Sequence, residues 1–167
     1  EQGPTRPDSP ADAILRVSRL TMTYGGGDNA NPILRDLDLD VRAGEFVSIV
    51  GPSGVGKTTL LRCLSGLLRP TGGEIRVGDE VVTAPHPDIG VVFQDYSRSL
   101  MPWMTTIDNV AFPLQGRGMR RAERERLAAE YLEAVGLGGQ GAKYPWEMSG
   151  GMQQRVAIAR ALAYQAR

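Results

Sequence analysis

Residues 48–68 read "SIVGPSGVGKTTLLRCLSGLL": an apolar run, a glycine-rich loop and then regularly spaced leucines. The loop, residues 51–58, fits the pattern G-x-x-x-x-G-K-[ST]. The chain has two lysines against seventeen arginines, and one of the two, Lys57, lies in this loop. A compact ammonium suits an enclosed glycine loop better than a planar guanidinium does. The stretch therefore predicts that Lys57 binds phosphate.

Phosphate binding at this loop has a physical basis in the backbone. Glycines let the chain turn so that successive N–H groups converge on an anion, and the start of the following helix adds its positive dipole end. The hydroxyl of Thr58 is expected to bind the magnesium that accompanies a nucleotide. A glycine-rich turn that matches by chance is the alternative interpretation. The residues predicted to bind the nucleotide here are Gly51, Pro52, Ser53, Gly54, Val55, Gly56, Lys57, Thr58 and Thr59.

The segments that flank the loop predict a strand before it and a helix after it. Residues 45–50, "EFVSIV", form a nearly continuous apolar run, which is typical of a strand buried on both faces of a parallel sheet. The leucines after Lys57 recur at helical spacing and predict an apolar face about three turns long. These leucines are Leu60, Leu61, Leu64, Leu67 and Leu68.

Further strands and helices are predicted from periodicity. Apolar and polar residues alternate over 14–24 and 34–41, which predicts two antiparallel strands; 73–82 indicates a hairpin and 88–94 another apolar strand. Three helices follow: one that starts at Thr105 or Thr106, one over "RRAERERLAAEYLEAVGL" that ends at Gly136, and one over 149–167. Ser149 is expected to cap the last helix. Its inward-facing residues are predicted to be Val156, Ala159, Leu162 and Ala163.

Composition excludes several classes of protein. A formal net charge of zero over 167 residues argues against general nucleic-acid binding, which usually needs a basic excess. One cysteine, Cys63, excludes an internal disulfide, and its position on the helix after the loop predicts that it is packed. His86 lies between prolines without Cys or His neighbours and is expected to be a loop residue rather than a metal ligand.

The motifs in their order along the chain resemble those of the ATP-binding subunits of ABC transporters. That order is Tyr24, the loop at 51–59, Gln94 at the end of a strand, and "MSGGMQQRVAIARAL". The segment "MSGGMQQR" is similar to the family's signature motif, usually written L-S-G-G-Q, with Met148 for leucine and Met152 for glutamine. The resemblance covers residues 14–166, nearly the whole chain.

The resemblance implies a role for each matching residue. Tyr24 would stack on adenine, and Gln94 would contact magnesium and water and sense a membrane partner. Ser149, Gly150 and Gly151 would face the γ-phosphate of an ATP molecule held on the loop of a second copy. ATP and Mg²⁺ are thus the implied cofactors, and a head-to-tail homodimer is the implied assembly.

The resemblance also implies a fold and its divisions. The expected fold is the α/β P-loop NTPase core of ABC ATPases, with an antiparallel β subdomain and a helical subdomain, incomplete at the C-terminus. Residues 1–12 are expected to be a disordered tail, 13–93 the nucleotide-binding core, 94–148 the helical subdomain, and 149–167 the signature motif with its helix. We read the chain as a fragment, since the family continues with a strand ending in Asp-Glu, and expect the fragment alone not to hydrolyse ATP.

The segment "QDYSRSLMPWMTTIDNV" permits two interpretations. Its apolar and aromatic residues, Tyr96, Leu100, Met101, Pro102, Trp103 and Met104, form either a core cluster or a groove for a permease helix. Within the family, this segment is most similar to importers of nitrate, sulfonate or taurine. Such a subunit would lie on the cytoplasmic face of the membrane, bind an integral-membrane permease and serve a solute-binding protein indirectly, without contacting nucleic acid.

Three other function classes are weighed against this resemblance. A GTPase or small kinase would share the loop, but no N-K-x-D motif for guanine is present and the Ser149 segment would be unexplained. A relative acting on DNA or ribosomes would need a basic surface or a long insertion. A non-enzymatic ATP-gated binding module remains open at this point.

Overall fold

A computed structural model describes residues 13–93 and 99–164, and the chain divides into two compact units, Glu1–His86 and Pro87–Arg167. The expected tail over residues 1–12 lies outside the described part. The predicted boundaries between core, helical subdomain and signature segment stay predictions. None of the helices within these two described ranges has the length and apolar character needed to cross a bilayer.

The first unit is built on a four-stranded antiparallel sheet. Its strands are β1 (Ala13–Tyr24), β2 (Asn31–Arg42), β3 (Gly72–Val77) and β4 (Glu80–Val81), and they lie side by side in the order β2-β1-β3-β4. The predicted pair of alternating strands and the predicted hairpin are therefore confirmed. Alternation predicts them well because one face of such a sheet packs on the core while the other meets water.

Two bulges interrupt the long strand pair. Arg19 in β1 and Asp36 in β2 both adopt a φ of 47°, in the left-handed region, and the register shifts near each of them. Gly73 approaches the first bulge so closely that a Cβ on it would lie 2.2 Å from the carbonyl oxygen of Arg19. The backbone amide of Arg19 donates to the carboxylate of Asp38 at 2.7 Å, which ties the bulge to the neighbouring strand. A glycine is therefore required at position 73.

Helix α1 (Lys57–Leu64) follows the glycine-rich loop and is shorter than predicted. Leu60 and Cys63 are buried, as expected for the inner face, but Leu61 and Leu67 are about half exposed, so the prediction of one apolar face for all five leucines was wrong. The helix stops because Gly66 turns into a left-handed conformation with a φ of 73°.

The apolar runs at 45–50 and 88–94 were predicted to be strands, and this prediction was wrong for the described residues. Neither 45–50 nor 88–93 forms a strand, and the side chains of Phe46 and Val50 are 92% and 89% exposed. An apolar run indicates that a segment tends to be buried, but a strand also needs an adjacent strand with which it can form backbone hydrogen bonds. Within the described part of the chain, the four-stranded sheet does not include either run.

The second unit is helical. It contains α2 (Thr106–Ala111), α3 (Arg121–Ala134) and α4 (Gly150–Tyr164), with 3-10 turns at Phe112–Arg117 and Pro145–Glu147. All three predicted helices are confirmed, and α2 is capped by Thr105, whose hydroxyl oxygen accepts from the amide of Asp108 at 3.3 Å. The buried core comprises Leu100, Val110, Ala111, Leu114, Ala128, Leu132, Leu137, Met148, Val156, Ala157, Ala159 and Ala163.

The inner face of α4 is narrower than predicted. Val156, Ala159 and Ala163 are fully buried, which confirms three of the four inward-facing residues. Leu162 is 47% exposed and does not belong to this face. Residues 156, 159 and 163 share one stripe of the helix, whereas 162 lies about 100° away from 163. The small alanines allow α4 to pack close to α2 and α3 along that stripe.

Asn109 on α2 holds the loop that precedes the helix. Its side chain is fully buried, and its Oδ1 accepts from the amide of Met101 at 2.8 Å. Its Nδ2 donates to the carbonyls of Met101, Met104 and Thr105 at 3.0–3.1 Å. A single amide therefore satisfies four backbone groups and fixes residues 101–105 on the helical unit.

Replacing Asn109 by leucine should destabilise the helical unit strongly. The change keeps the side-chain volume but removes four hydrogen bonds. The carbonyls of Met101 and Thr105 still accept from backbone amides, whereas the amide of Met101 and the carbonyl of Met104 lose the bond that Asn109 supplies. We therefore expect a loss of about 3 kcal/mol in the free energy of unfolding, measured by urea denaturation. Gln115→Leu makes the same chemical change at an exposed position of the unit and should cost less than about 0.5 kcal/mol. Equal effects of the two substitutions would contradict the structural role of Asn109.

Candidate functional site

The glycine-rich loop curls between Gly51 and the start of α1. Gly54 and Gly56 have φ values of 83° and 104°, which L side chains rarely adopt, and the amide of Val55 donates to the carbonyl of Pro52 at 3.4 Å. The loop is thus neither extended nor helical until Lys57, where α1 begins. Its two left-handed glycines are the residues that make the curl possible.

Gly56 also sets the position of the loop on the sheet. A Cβ on Gly56 would lie 2.8 Å from Cγ2 of Ile33 in β2, so the backbone of the loop touches this strand directly. Ile33 lies two residues from Asn31, which pairs with Tyr24 at the end of β1. The structure therefore brings Tyr24, whose side chain is 41% exposed, to the end of the sheet against which the loop packs.

Lys57 spans the loop with its side chain. Its Nζ donates to the carbonyls of Gly51 and Pro52, each at 2.7 Å. These two bonds hold the ammonium over the loop rather than in solvent. An ammonium has three donors, so one proton remains to point at an anion inside the curl.

The first turn of α1 presents further donors at the same place. The amide of Leu60 donates to the carbonyl of Gly56 at 2.8 Å, which is the first bond of the helix. The preceding amides, of Lys57, Thr58 and Thr59, consequently have no acceptor within the helix. The side chain of Thr58 is exposed on this turn, so its hydroxyl is open to a ligand. A helix start with such amides next to a lysine ammonium has the donors and the positive charge that an oligophosphate needs.

The second predicted site begins α4 in the helical unit. The hydroxyl oxygen of Ser149 accepts from the amide of Met152 at 3.4 Å and caps the helix, as predicted. Met148 is buried, and its sulfur lies 3.1 Å from the hydroxyl oxygen of Thr106. Methionine at this position of the signature therefore serves as an apolar anchor for the turn before the helix.

Ser149, Gly150 and Gly151 are all exposed at the start of α4. A Cβ on Gly151 would meet nothing within 4 Å, and its φ is not positive. Glycine inside a helix costs about 0.5–1 kcal/mol relative to alanine. Among the described residues, packing does not require a glycine at this position.

The predicted residues are thus divided between the two units. Tyr24 and the residues from Gly51 to Thr59 lie in the first unit, and those from Ser149 to Gly151 lie in the second. Gln94 lies outside the described residues, so its role stays a prediction. The contacts of the other residues with a nucleotide also stay predictions.

Two features of the helical unit were missed from the sequence. One is the pair of buried polar side chains on α2, Thr106 and Asn109, whose hydrogen bonds fix the turns around them. The other is a stack of Tyr144 on Trp146, with ring centroids 4.4 Å apart. Polar residues inside an apolar helix, and two aromatics on either side of a proline, were the signals available.

The segment at residues 100–104 was interpreted either as part of the core or as an exposed surface for a partner, and it contains residues in both environments. Leu100 belongs to the core, whereas Trp103 is 72% exposed. Met101 lines a cavity of about 340 Å³ in the helical unit, together with Phe112, Pro113 and Tyr164. Arg160 also lines it and donates to the carbonyl of Ser99 at 2.6 Å, and burial lowers the pKa of this guanidinium. Tyr96 lies outside the described residues.

Within the described residues, the other reactive side chains do not form a separate site. Burial raises the pKa of the Cys63 thiol, so it stays protonated at neutral pH and is a poor nucleophile. The Nε2 of His86 lies 3.2 Å from a carboxylate oxygen of Glu80. Among residues 13–93 and 99–164, no cluster of three or more His, Cys, Asp or Glu side chains is placed to hold a metal ion.

Comparisons with known proteins show the family to which the chain is related. Residues 34–167 match the family described as ABC transporter. The chain is 46% identical over 151 residues to the taurine import ATP-binding protein TauB of Chromobacterium violaceum, covering 90% of this chain and 56% of that protein. It is 46% identical over 149 residues to the nitrate import ATP-binding protein NrtD of Synechocystis, covering 89% of this chain and 55% of that protein.

Solved structures give the same result. An ATP-binding cassette, solved as a dimer in a post-hydrolysis state bound to ADP and Pi, superposes with a TM-score of 0.80 at 36% identity, covering 90% of this chain and 70% of that one. This likeness confirms the predicted fold class. The chain spans about 55% of the length of the curated relatives it matches. By family match, sequence identity and fold together, the chain belongs to the ABC transporter family.

Proposed function

We propose that this chain is the nucleotide-binding part of an ATP-hydrolysing subunit that powers an ABC transporter. The observation that carries the proposal is the loop at residues 51–58, where the Lys57 ammonium bonds to two loop carbonyls, Gly54 and Gly56 adopt left-handed conformations and α1 begins at Lys57. A nucleotide's β- and γ-phosphates carry the charge and the acceptor oxygens that such a loop needs.

The other nucleotide contacts follow from the placement of the site. Tyr24 would stack on adenine, since its exposed ring lies at the end of the sheet against which the loop packs. Magnesium would be held by the Thr58 hydroxyl together with phosphate oxygens and Gln94. The exposed Thr58 oxygen fits this ion, because Mg²⁺ takes few protein ligands and prefers oxygen donors shared with substrate phosphates.

The start of α4 would complete the site across a dimer. Ser149, Gly150 and Gly151 present a capped helix N-terminus to the outside, and Gly151 leaves room for a close approach. A head-to-tail homodimer would place this surface over the γ-phosphate of an ATP molecule held by the second copy's loop. ATP would then close the dimer and hydrolysis would reopen it.

Trp103 and the cavity beside Met101 would contact the membrane permease. An exposed indole on a loop that Asn109 holds rigid is the type of side chain that dominates protein interfaces. Because relatives are named as taurine and nitrate import proteins, we propose that the transporter imports small anions such as nitrate or sulfonates. The subunit would lie on the cytoplasmic face of the membrane, and a solute-binding protein would select the cargo.

Substituting Lys57 tests the nucleotide site. In the full-length subunit, Lys57→Ala should abolish detectable ATP binding in calorimetry, and Lys57→Arg should also bind poorly, since a planar guanidinium cannot keep both carbonyl bonds within the curl. Lys143→Ala removes the other lysine of the chain, which is exposed, and should leave ATP affinity unchanged. Undiminished affinity of Lys57→Ala would refute the assignment.

Substituting Ser149 tests the shared site. Ser149→Arg should leave ATP binding by the monomer intact but prevent ATP-dependent dimerisation in sedimentation velocity, together with turnover, because a long side chain fills the space above the helix start. Ser149→Ala removes the cap, which is worth about 1 kcal/mol of stability, and the hydroxyl that would face the γ-phosphate, but it adds no bulk and should still dimerise, although more weakly than wild type. A normal dimer with the arginine variant would exclude the composite site.

Trp103 tests the permease contact. In transporter reconstituted with its permease, Trp103→Ala should weaken co-purification of the subunit by at least about tenfold, the effect typical of a buried aromatic anchor. ATP affinity of the isolated subunit should not change. Leu61→Ala, which removes a half-exposed apolar side chain from the first unit, should leave co-purification intact. Retention of the permease by Trp103→Ala at wild-type strength would rule out this surface.

A further inference from the structure

The turn before α4 exposes a stacked pair of aromatic rings. Tyr144 and Trp146 lie with their ring centroids 4.4 Å apart and their planes within 11° of parallel. One face of the indole is covered by the tyrosine, yet the Trp146 side chain is 64% exposed. A large apolar surface is thus presented to the outside beside the start of α4.

Hydrogen bonds hold this pair rigidly relative to α4. The Glu147 carboxylate accepts from the amide of Tyr144 at 2.7 Å, which closes the 3-10 turn between the two rings. From α4, Nε2 of Gln153 donates to the carbonyls of Pro145 and Met148 at 2.8 and 3.1 Å. The stack therefore keeps a fixed position beside the start of the helix.

Hydrogen bonds from α2 also hold the turn that carries the two rings. Both the amide and the hydroxyl of Thr106 donate to the carbonyl of Lys143 at 2.7 Å, just before the first ring. Thr106 is itself buried, so the segment from Lys143 to Met148 is fixed at both of its ends. An aromatic surface held in this way loses little conformational entropy when it binds a planar ligand.

We infer that the exposed indole of Trp146 stacks on the adenine of the ATP molecule that the phosphate loop of a second copy binds. The inference rests on the proposed function, in which Ser149 of the same copy faces the γ-phosphate of that ATP. Trp146 precedes Ser149 by three residues, which span at most about 10 Å. The actual separation is shorter because Pro145–Glu147 is a 3-10 turn, and the indole side chain adds the further reach that contact with the base would need.

The chemistry of the surface favours a base over other occupants. A flat indole offers a π-face to any purine, and stacking of this kind strengthens nucleotide contacts without hydrogen bonds. In this arrangement adenine would lie between Tyr24 of the copy that binds the phosphates and Trp146 of the other copy. The base of ATP, as well as its γ-phosphate, would then contact residues of both subunits.

Photolabelling tests the contact directly. Full-length protein is mixed with 2-azido-ATP and magnesium, dimer formation is checked by sedimentation velocity, and the sample is irradiated and mapped by mass spectrometry. Label on the peptide that contains Tyr144 and Trp146 is expected, and the dimer-blocking Ser149→Arg variant should lose it. A dimer labelled only on the Tyr24 peptide would overturn the inference while leaving the proposed function standing. Failure to form any ATP-dependent dimer would overturn both.

Variants at Trp146 give a second measurement. Trp146→Ala should weaken the ATP-dependent dimer about tenfold, and Trp146→Phe should recover most of that loss because it keeps a π-face. Leu162→Ala removes an exposed apolar side chain at the other end of α4 and should leave the dimer unchanged. ATP binding by the monomer should be the same in all four proteins. Equal dimer affinities for Trp146→Ala and wild type would refute the stacking.

Discussion

The bonds from the Lys57 ammonium to the carbonyls of Gly51 and Pro52 are the constraint on which the proposed nucleotide site depends. They close a loop whose curl is possible only because Gly54 and Gly56 take left-handed conformations. The contact of Gly56 with Ile33 then fixes that loop on β2. One short segment thus combines the backbone shape, the position of the cation and the contact with the sheet.

In the helical unit the corresponding constraint is a pair of buried polar side chains on α2. Asn109 binds the loop before the helix, and Thr106 binds the backbone at Lys143, near the start of the signature turn. Each uses hydrogen bonds in a buried setting, where leaving a backbone group unpaired costs most. As a result, the two exposed tryptophans of the unit, Trp103 and Trp146, lie on turns that α2 holds in place through hydrogen bonds. Its two aromatic surfaces are therefore positioned by one helix.

Much of the fold could be predicted because its signals are local. The alternation over β1 and β2 indicates which face of each strand is exposed to solvent. The serine before α4 caps the helix through a bond within its own first turn, so it needs no distant partner. Errors arose where a segment depends on others. Residues 45–50 are apolar enough for a buried strand, yet they form none, because pairing requires a neighbour that periodicity cannot show. Leu61 and Leu162 were assigned to inner faces that proved narrower once the packing was known.

By itself, the sequence determined the chemistry of the site: a lysine, glycines and hydroxyl groups at the spacing that phosphate binding needs, and a Ser-Gly-Gly helix start later in the chain. Tertiary structure alone decided which side chains hold these motifs in place. The bulge at Arg19, the four bonds of Asn109 and the stack of Tyr144 on Trp146 join residues through geometry that no short pattern encodes. The reason is physical: a motif reflects local backbone preference, whereas hydrogen bonds and packing between elements depend on where the whole chain brings its parts together.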